Sequence, residues 1–104
     1  MQVTDRDIRL KNTSVVKTFP LNWQPAREGK IFVGSNVTKS YIIIDSYWLP
    51  IIDLLLQGLN LDEIVHNLSE IDPHNFHNEN ASSKVKIMII ELAQNKLIEK
   101  IITK

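Results

Sequence analysis

The feature that most constrains the fold is a short apolar run that leads directly into two amphipathic segments. Residues 41–45 read Tyr-Ile-Ile-Ile-Asp, and such β-branched content predicts a strand. Four apolar residues with helical spacing follow: Trp48, Ile51, Ile52 and Leu55. Four more repeat that spacing after Gly58: Leu61, Ile64, Val65 and Leu68. The sequence therefore predicts a strand followed by two short helices, which must pack against other parts of the chain.

The ends of these two helices carry local signals. Ser46 is expected to cap the first helix, and Pro50 falls in its first turn, where proline is best tolerated. Gly58 closes this helix, because glycine readily adopts the left-handed backbone of a helix C-terminus. Asn60 opens the second helix, and Glu63 three residues later completes an approximate capping box.

Two further strands are expected earlier in the chain. Residues 30–33 read Lys-Ile-Phe-Val and are expected to form a strand, which the polar turn formers of residues 34–39 connect to residues 41–45 as a hairpin. The β-branched content of residues 15–19 indicates another strand. Residues 20–28, which include two prolines, are expected to be irregular.

The last third of the chain predicts a loop and a third helix. Residues 72–83 are rich in Asn, His and Ser without periodicity, which indicates a loop, with a helical turn beginning at Asp72. Ser82 or Ser83 is expected to cap a helix over residues 84–95. Residues 97–102 either continue that helix or form a short final strand.

These elements predict an α+β fold that is winged-helix-like, with a two- or three-stranded antiparallel sheet packed on a three-helix bundle. One domain is expected over residues 1–104, with residues 1–13 flexible or loosely packed. The predicted core contains Trp48, Ile51, Leu55, Ile64, Leu68, Met88 and Leu92.

The third helix is apolar on two sides. Its expected core stripe is Val85, Met88, Ile89 and Leu92. Ile87 and Ile90 project from roughly the opposite half of the helix. This second side is bordered by Lys84, Lys86 and Gln94. Two interpretations are open: the helix is buried on both sides, or Ile87 and Ile90 line a groove for a partner.

Charge is unevenly distributed along a chain whose formal net charge is zero. Residues 45–72 contain six acidic residues and no Lys or Arg, whereas residues 1–44 carry seven basic against three acidic residues. Residues 73–104 carry five lysines against three glutamates. Duplex DNA binding draws most of its affinity from Lys and Arg, so this pattern favours a polar partner of mixed charge.

Composition and apolar run length also indicate in which cellular compartment the protein is expected. The sequence contains no cysteine, which excludes disulfides and thiolate sites and fits a cytoplasmic protein. The longest apolar run, residues 49–56, is far shorter than the roughly 20 residues that a membrane span needs. Residues 1–11 are polar, so no signal peptide is expected.

The sequence offers few groups for catalysis. His74 and His77 have the spacing of a metal pair, but no cysteine or further histidine lies nearby to complete a site. Asp62 and Glu63 fall in the first turn of a helix, where the helix dipole favours acidic residues. The sequence has no glycine-rich phosphate loop. We therefore expect that the protein is not an enzyme and that it has no catalytic residue, metal or cofactor.

Four segments in this order resemble the PqqD-like family, also called precursor-peptide recognition elements: Tyr41-Ile-Ile-Ile-Asp45, Leu54-Leu-Leu-Gln-Gly58, Leu61-Asp-Glu-Ile64 and Leu97-Ile98. The similarity covers roughly residues 14–102 and consists of apolar positions and one glycine. It implies a small winged-helix domain that binds the leader segment of a ribosomally made precursor peptide and presents the core segment to a modifying enzyme. Pro50 and the polar loop 72–83 depart from the family pattern.

In that family the leader is added as a strand along the third strand, beside the third helix. Carried over by position, the resemblance implies ten peptide-binding residues: Tyr41, Ile42, Ile43, Ile44, Asp45, Lys84, Lys86, Ile87, Ile90 and Gln94. An open strand edge supplies unpaired N–H and C=O groups, and the side chains alongside give selectivity. Lys84 and Lys86 are expected to meet acidic leader residues. Because Ile42, Ile43 and Ile44 do not alternate with polar residues, both faces of this strand are expected to be covered. The helices can cover one face, and a bound peptide or the third helix the other.

Two alternatives remain open. A winged helix is also a DNA-binding scaffold, for which the third helix and tail offer Lys84, Lys86, Lys96, Lys100 and Lys104. In the second alternative, the chain is the N-terminal recognition domain of a larger enzyme, since such domains resemble the leading segments of radical enzymes, cyclases and intramembrane zinc peptidases. The expected partners are a leader peptide and one such modifying enzyme, with no nucleic acid and no membrane span.

Overall fold

A computed structural model describes residues 10–77 and 80–102, which form an α+β fold of three helices and two antiparallel sheets. The predicted fold class is confirmed. In chain order the elements are β1 Val15–Thr18, β2 Asn22–Pro25, β3 Lys30–Ser35, β4 Ser40–Asp45, a 3-10 turn Ser46–Trp48, α1 Leu49–Leu56, α2 Leu61–Ile71, α3 Ala81–Gln94 and β5 Ile98–Ile102.

The larger sheet has three strands in the order β2-β3-β4. The predicted hairpin is confirmed as the β3–β4 pair, in which Gly34 lies opposite Tyr41. A Cβ at Gly34 would lie 2.7 Å from the Ser40 carbonyl oxygen, so glycine permits this close approach. The prediction that residues 20–28 are irregular is wrong, because β2 pairs with β3 and places Trp23 opposite Val33. As an edge strand, β2 can include Pro25.

The smaller sheet pairs β1 with β5, which come from opposite ends of the described chain. The strand predicted at residues 15–19 is confirmed as β1. For residues 97–102, the structure selects the strand over the continued helix, since β5 runs antiparallel to β1 with Val15 opposite Ile102.

The first helical segment begins differently from the prediction. A 3-10 turn follows β4 directly, so Ser46 lies inside it and Asp45 takes the N-cap position without a side-chain cap bond. The expectation of a Ser46 cap is therefore wrong. Pro50 lies in the first turn of α1, and Gly58 follows the end of α1 with a φ of 78°, as predicted.

The capping box of α2 is confirmed. The Glu63 N–H donates to Asn60 Oδ1 at 2.8 Å, and the Asn60 N–H donates to Glu63 Oε1 at 3.0 Å. The predicted start of α3 is wrong, since α3 begins at Ala81 after Asn80, and Ser82 and Ser83 lie exposed within its first turn.

The C-terminus of α3 has the two backbone hydrogen bonds of a Schellman motif. The Leu97 N–H donates to the Leu92 carbonyl at 2.9 Å, and the Lys96 N–H donates to the Ala93 carbonyl at 3.2 Å. Lys96 has a φ of 64°, the left-handed conformation that glycine usually adopts there. A lysine therefore occupies a position that backbone geometry assigns to glycine.

One apolar core joins the helices to the inner faces of the sheets. Six of the seven predicted core residues are buried, and Trp48 packs partly buried against them. Of the N-terminal segment expected to be loose, residues 1–9 lie outside the described residues. Leu10 packs against the core, and the Asn12 carbonyl accepts a hydrogen bond from the Asp62 N–H at 3.0 Å. None of the described helices has the length and apolar character to cross a membrane.

Candidate functional site

Strand β4 lies at the edge of its sheet, and its outer edge has no pairing partner among the described residues. Ile42 and Ile44 point into the core, whereas Tyr41 and Ile43 are 64% and 51% exposed. The expectation that α3 covers the second face of this strand is therefore wrong, whereas cover by a bound peptide stays a prediction. An antiparallel sheet with helices on one face leaves the other face open, and isoleucine occupies both sides because its branched side chain suits strand geometry.

Backbone alternation identifies the groups that β4 leaves unpaired. The Ser46 N–H donates to the Gly29 carbonyl at 2.8 Å, one position beyond the last pair of the β3–β4 register. Because alternate residues of an antiparallel strand turn their backbone groups to the same edge, Ile44 and Ile42 turn theirs toward β3. Ser40, which lies opposite Ser35, follows the same alternation toward β3. We infer that the remaining three residues of β4 turn their N–H and C=O groups toward the open edge: Tyr41, Ile43 and Asp45.

Helix α3 runs alongside β4 and meets it near both ends. Tyr47, two residues after β4, lies beneath the Lys84 ammonium, with 5.5 Å between Nζ and the ring centroid. At the other end Tyr41 and Gln94 line one surface hollow. The strand and the helix therefore run in opposite directions, and we call the surface between these two points the cleft.

The exposed side of α3 contains two isoleucines, Ile87 and Ile90, of which Ile87 lies closer in angle to Lys84 and Gln94. At 100° per residue, Ile87 lies about 60° around the helix from Lys84 and about 20° from Gln94. Ile87 is 58% exposed and Ile90 is 37% exposed, so the interpretation that buries both is wrong. Ile90 lies about 60° beyond Ile87, and Lys86 lies about 160° from Lys84. Gln94 lines a hollow together with Tyr41. From the helical angles we infer that Ile87 lies on the same side of α3 as Gln94, that Ile90 lies at the border of that side and that Lys86 lies on the far side of the helix.

Lys84 is held at its end of the cleft by contacts within the chain. Its Nζ donates to the Asn75 carbonyl at 2.7 Å and lies 5.4 Å from the centroid of the Phe76 ring. The pKa of the nearby Asp72 carboxyl lies below its ordinary value, chiefly because the Asn75 side chain donates a hydrogen bond to it. Lys84 therefore ties the loop before α3 to the helix, and its ammonium is already partnered.

Phe76 is a residue that sequence reasoning missed. It was included in a polar loop, yet its side chain is fully buried and contacts the rings of Tyr47 and Trp48. A single aromatic residue in an otherwise polar segment was the available signal, since a large apolar side chain gains most from burial. This aromatic cluster fixes the turn that follows β4 against the start of α3.

The opposite end of the cleft contains a hollow of about 220 Å³, lined by Lys39, Ser40, Tyr41, Gln94, Asn95 and Lys96. The sequence predicts Tyr41 and Gln94 as peptide-binding residues but neither of the two lysines, of which Lys96 is a candidate only for DNA binding. Lys39 lies in the β3–β4 connection and Lys96 follows α3, so no periodic pattern marks either one. Only the fold brings these positions together.

Asp45, at the end of β4, forms an ion pair on the side of the sheet away from the open edge. Lys30 Nζ lies 2.8 Å from Asp45 Oδ1, and both side chains are about half exposed. The hydrogen bond to Asp45 is the main cause that raises the pKa of the Lys30 ammonium above its ordinary value. This pair joins the ends of β3 and β4, which leaves the backbone of Asp45 as its contribution to the open edge.

A second and larger hollow, of about 1050 Å³, lies against the exposed side of the three-stranded sheet. Phe32 and Tyr41 line it and meet edge to face, with 5.7 Å between their ring centroids. Tyr41 and Ser40 also line the smaller hollow, so the two surfaces meet at the start of β4.

Among the described residues, no group of three or more His, Cys, Asp or Glu side chains is placed to hold a metal ion. No protein-family model matches the chain, and no curated protein or solved structure matches it either.

Proposed function

We propose that this domain binds the leader segment of a ribosomally synthesised precursor peptide and delivers it to a modifying enzyme in the cytoplasm. The observation that carries the proposal is the open edge of β4 with α3 running beside it. An extended peptide adds to this edge as a further strand of the sheet. The resemblance of the sequence to PqqD-like recognition domains supports the same location.

The two sides of the cleft make different contributions to binding. The backbone groups of Tyr41, Ile43 and Asp45 hydrogen-bond the added strand, which gives affinity with little dependence on peptide sequence. Alternate side chains of that strand face α3, where Ile87 offers exposed apolar surface. Selectivity therefore comes from the α3 side, with Ile87 as the apolar anchor.

Duplex DNA fits this surface less well. Helix α2 contains no Lys or Arg, and the Lys84 ammonium is engaged by Asn75 and two aromatic rings. DNA binding would lose affinity steeply with added salt because it depends on phosphate contacts. Strand addition depends on uncharged backbone groups, so a leader peptide should show a modest salt dependence.

Fluorescence anisotropy with synthetic peptides tests the proposal. The peptides tile the short reading frames that neighbour the gene for this chain, and labelled duplex DNA is titrated in parallel at low and physiological salt. We expect one extended leader peptide to bind. Ile87→Ser should weaken that binding by more than about 1 kcal/mol, or roughly fivefold in Kd, as expected for an interface anchor.

A matched control is available on α2. Ile71 is 59% exposed and lies at the end of that helix, so Ile71→Ser removes a similar apolar surface outside the cleft. Its binding should equal that of the unchanged chain. Equal loss from both substitutions, or sub-micromolar and sequence-selective binding of duplex DNA at physiological salt, would contradict the proposal.

A further inference from the structure

We propose that the hollow between the start of β4 and the end of α3 accepts an Asp or Glu side chain of the bound strand. The inference rests on the proposed function and adds the chemical class of residue that one position of the peptide must carry. The hollow of about 220 Å³ is large enough for a single carboxylate side chain and opens onto the cleft beside Tyr41.

Two lysines supply the charge that a carboxylate needs. Lys39 precedes β4 and Lys96 follows α3, so two distant parts of the sequence each contribute a lysine to the lining of one hollow. Within the described part of the chain, neither ammonium has an ion-pair or hydrogen-bond partner, unlike those of Lys30 and Lys84. The residues that line the hollow include no Asp or Glu. A carboxylate placed there gains charge-assisted hydrogen bonds without displacing a partner.

The backbone at these two positions makes lysine an unfavourable choice on local grounds. Lys39 has a φ of 55° and Lys96 a φ of 64°, and both lie in the left-handed region where glycine or asparagine is preferred. The described residues contain three non-glycine positions with positive φ, and two of them line this hollow. Local geometry does not explain the lysines, whereas a requirement for positive charge does.

The carboxylate of Glu91 opposes the positive charge of Lys39 and Lys96, so its removal tests whether the hollow prefers an acidic group. Glu91 lies on the exposed side of α3, where the Asn95 side-chain nitrogen lies 2.8 Å from its carbonyl oxygen and 3.5 Å from its Oε1. Its carboxylate therefore repels an acidic group in the hollow. Glu91→Gln should strengthen the binding of an acidic peptide about twofold, in line with the small energies of exposed charge pairs.

Selection from a phage-displayed library of random peptides, with the full chain as bait, tests the inference. We expect the selected peptides to share an Asp or Glu at one fixed position. The tightest of them, and its copy with that residue changed to the amide, are then titrated. The lysine variants are Lys39→Asn and Lys96→Gly, which remove charge while they favour the left-handed backbone. Lys17→Gln, on the other sheet, is the control.

The amide copy should bind about 5- to 20-fold more weakly than the selected peptide, and the double lysine variant should show a similar loss. The two losses should not add, because both remove the same interaction. In about 1 M salt the difference between the double variant and the unchanged chain should shrink, since exposed charges are then screened. Lys17→Gln should leave binding unchanged.

The outcomes separate the two proposals. Amide hydrogen exchange shows whether a selected peptide protects β4. Peptides that protect β4 overturn the carboxylate site, and leave strand addition standing, if they share no acidic residue. The same holds if they bind the double lysine variant as tightly as the unchanged chain. A selection that yields no peptide able to perturb β4 overturns the proposed function and the carboxylate site with it.

Discussion

Lys96 is the residue at which local stability and the proposed binding oppose each other. Its backbone closes the Schellman motif of α3, a position that favours glycine, and its side chain lines the hollow beside β4. The same substitution can therefore be measured twice, once for folding and once for peptide binding. If Lys96 had only a structural role, its substitution would change stability and peptide binding in the same direction.

Lys96→Gly should stabilise the free domain. A non-glycine residue in the left-handed region costs about 1–2 kcal/mol, and part of this gain is offset because glycine has more freedom in the unfolded chain. We expect the free energy of unfolding to rise by about 0.5–1 kcal/mol in urea titrations. Lys86→Gly, within α3, is the matched control and should lower it by about 1 kcal/mol. A destabilised Lys96→Gly variant would contradict this account of the helix end.

Among the elements, α2 has an N-terminus that is stabilised by side-chain hydrogen bonds between Asn60 and Glu63. Asn60 and Glu63 satisfy two backbone N–H groups that the helix leaves unpaired. Asn60→Ala should therefore lower the free energy of unfolding by about 1 kcal/mol. Glu63→Gln keeps an acceptor at the same place and should change stability by much less, so thermal melts that rank the two variants in the opposite order would refute the box.

Elements with a clear signal in their own residues, such as the cap of α2 or the β-branched run of β1, were predictable from the sequence, and β2, which has no such signal, was not. The capping box at Asn60 and the helix end at Gly58 depend on residues within one turn. In contrast, β2 exists because β3 pairs with it, and its exposed residues show no strand pattern. The starts of α1 and α3 also differ from prediction: a 3-10 turn precedes α1, and α3 begins at Ala81, whose N–H donates to the His77 carbonyl at 2.8 Å.

At the scale of the whole molecule, α3 separates core from surface. Leu92 is fully buried, so Leu92→Ala should cost about 2–5 kcal/mol through lost burial and an unfilled cavity. Ile87→Ser on the opposite side should change the free energy of unfolding by less than about 1 kcal/mol, because that side chain is already largely in water. Urea midpoints of the two variants that move equally would contradict this division.

The candidate site shows the same limit of sequence reasoning. The helical spacing of Ile87 placed it opposite the core stripe, but only the fold determines that this side is exposed and near β4. Lys39 and Lys96 carry no periodic signal, and the topology alone brings them together. Lys84 is predicted to bind peptide by position, and the structure shows that its ammonium donates to the Asn75 carbonyl within the chain.

The central claim is that a peptide joins the open edge of β4 as a strand, and residue-resolved amide hydrogen exchange tests it most directly. In the free domain, the amides of Ile42 and Ile44 should be protected by β3, whereas those of Tyr41, Ile43 and Asp45 should exchange quickly. Saturation with the tightest selected peptide should protect these three amides as well. If they continue to exchange quickly while the peptide is bound, the peptide lies elsewhere and the claim is wrong.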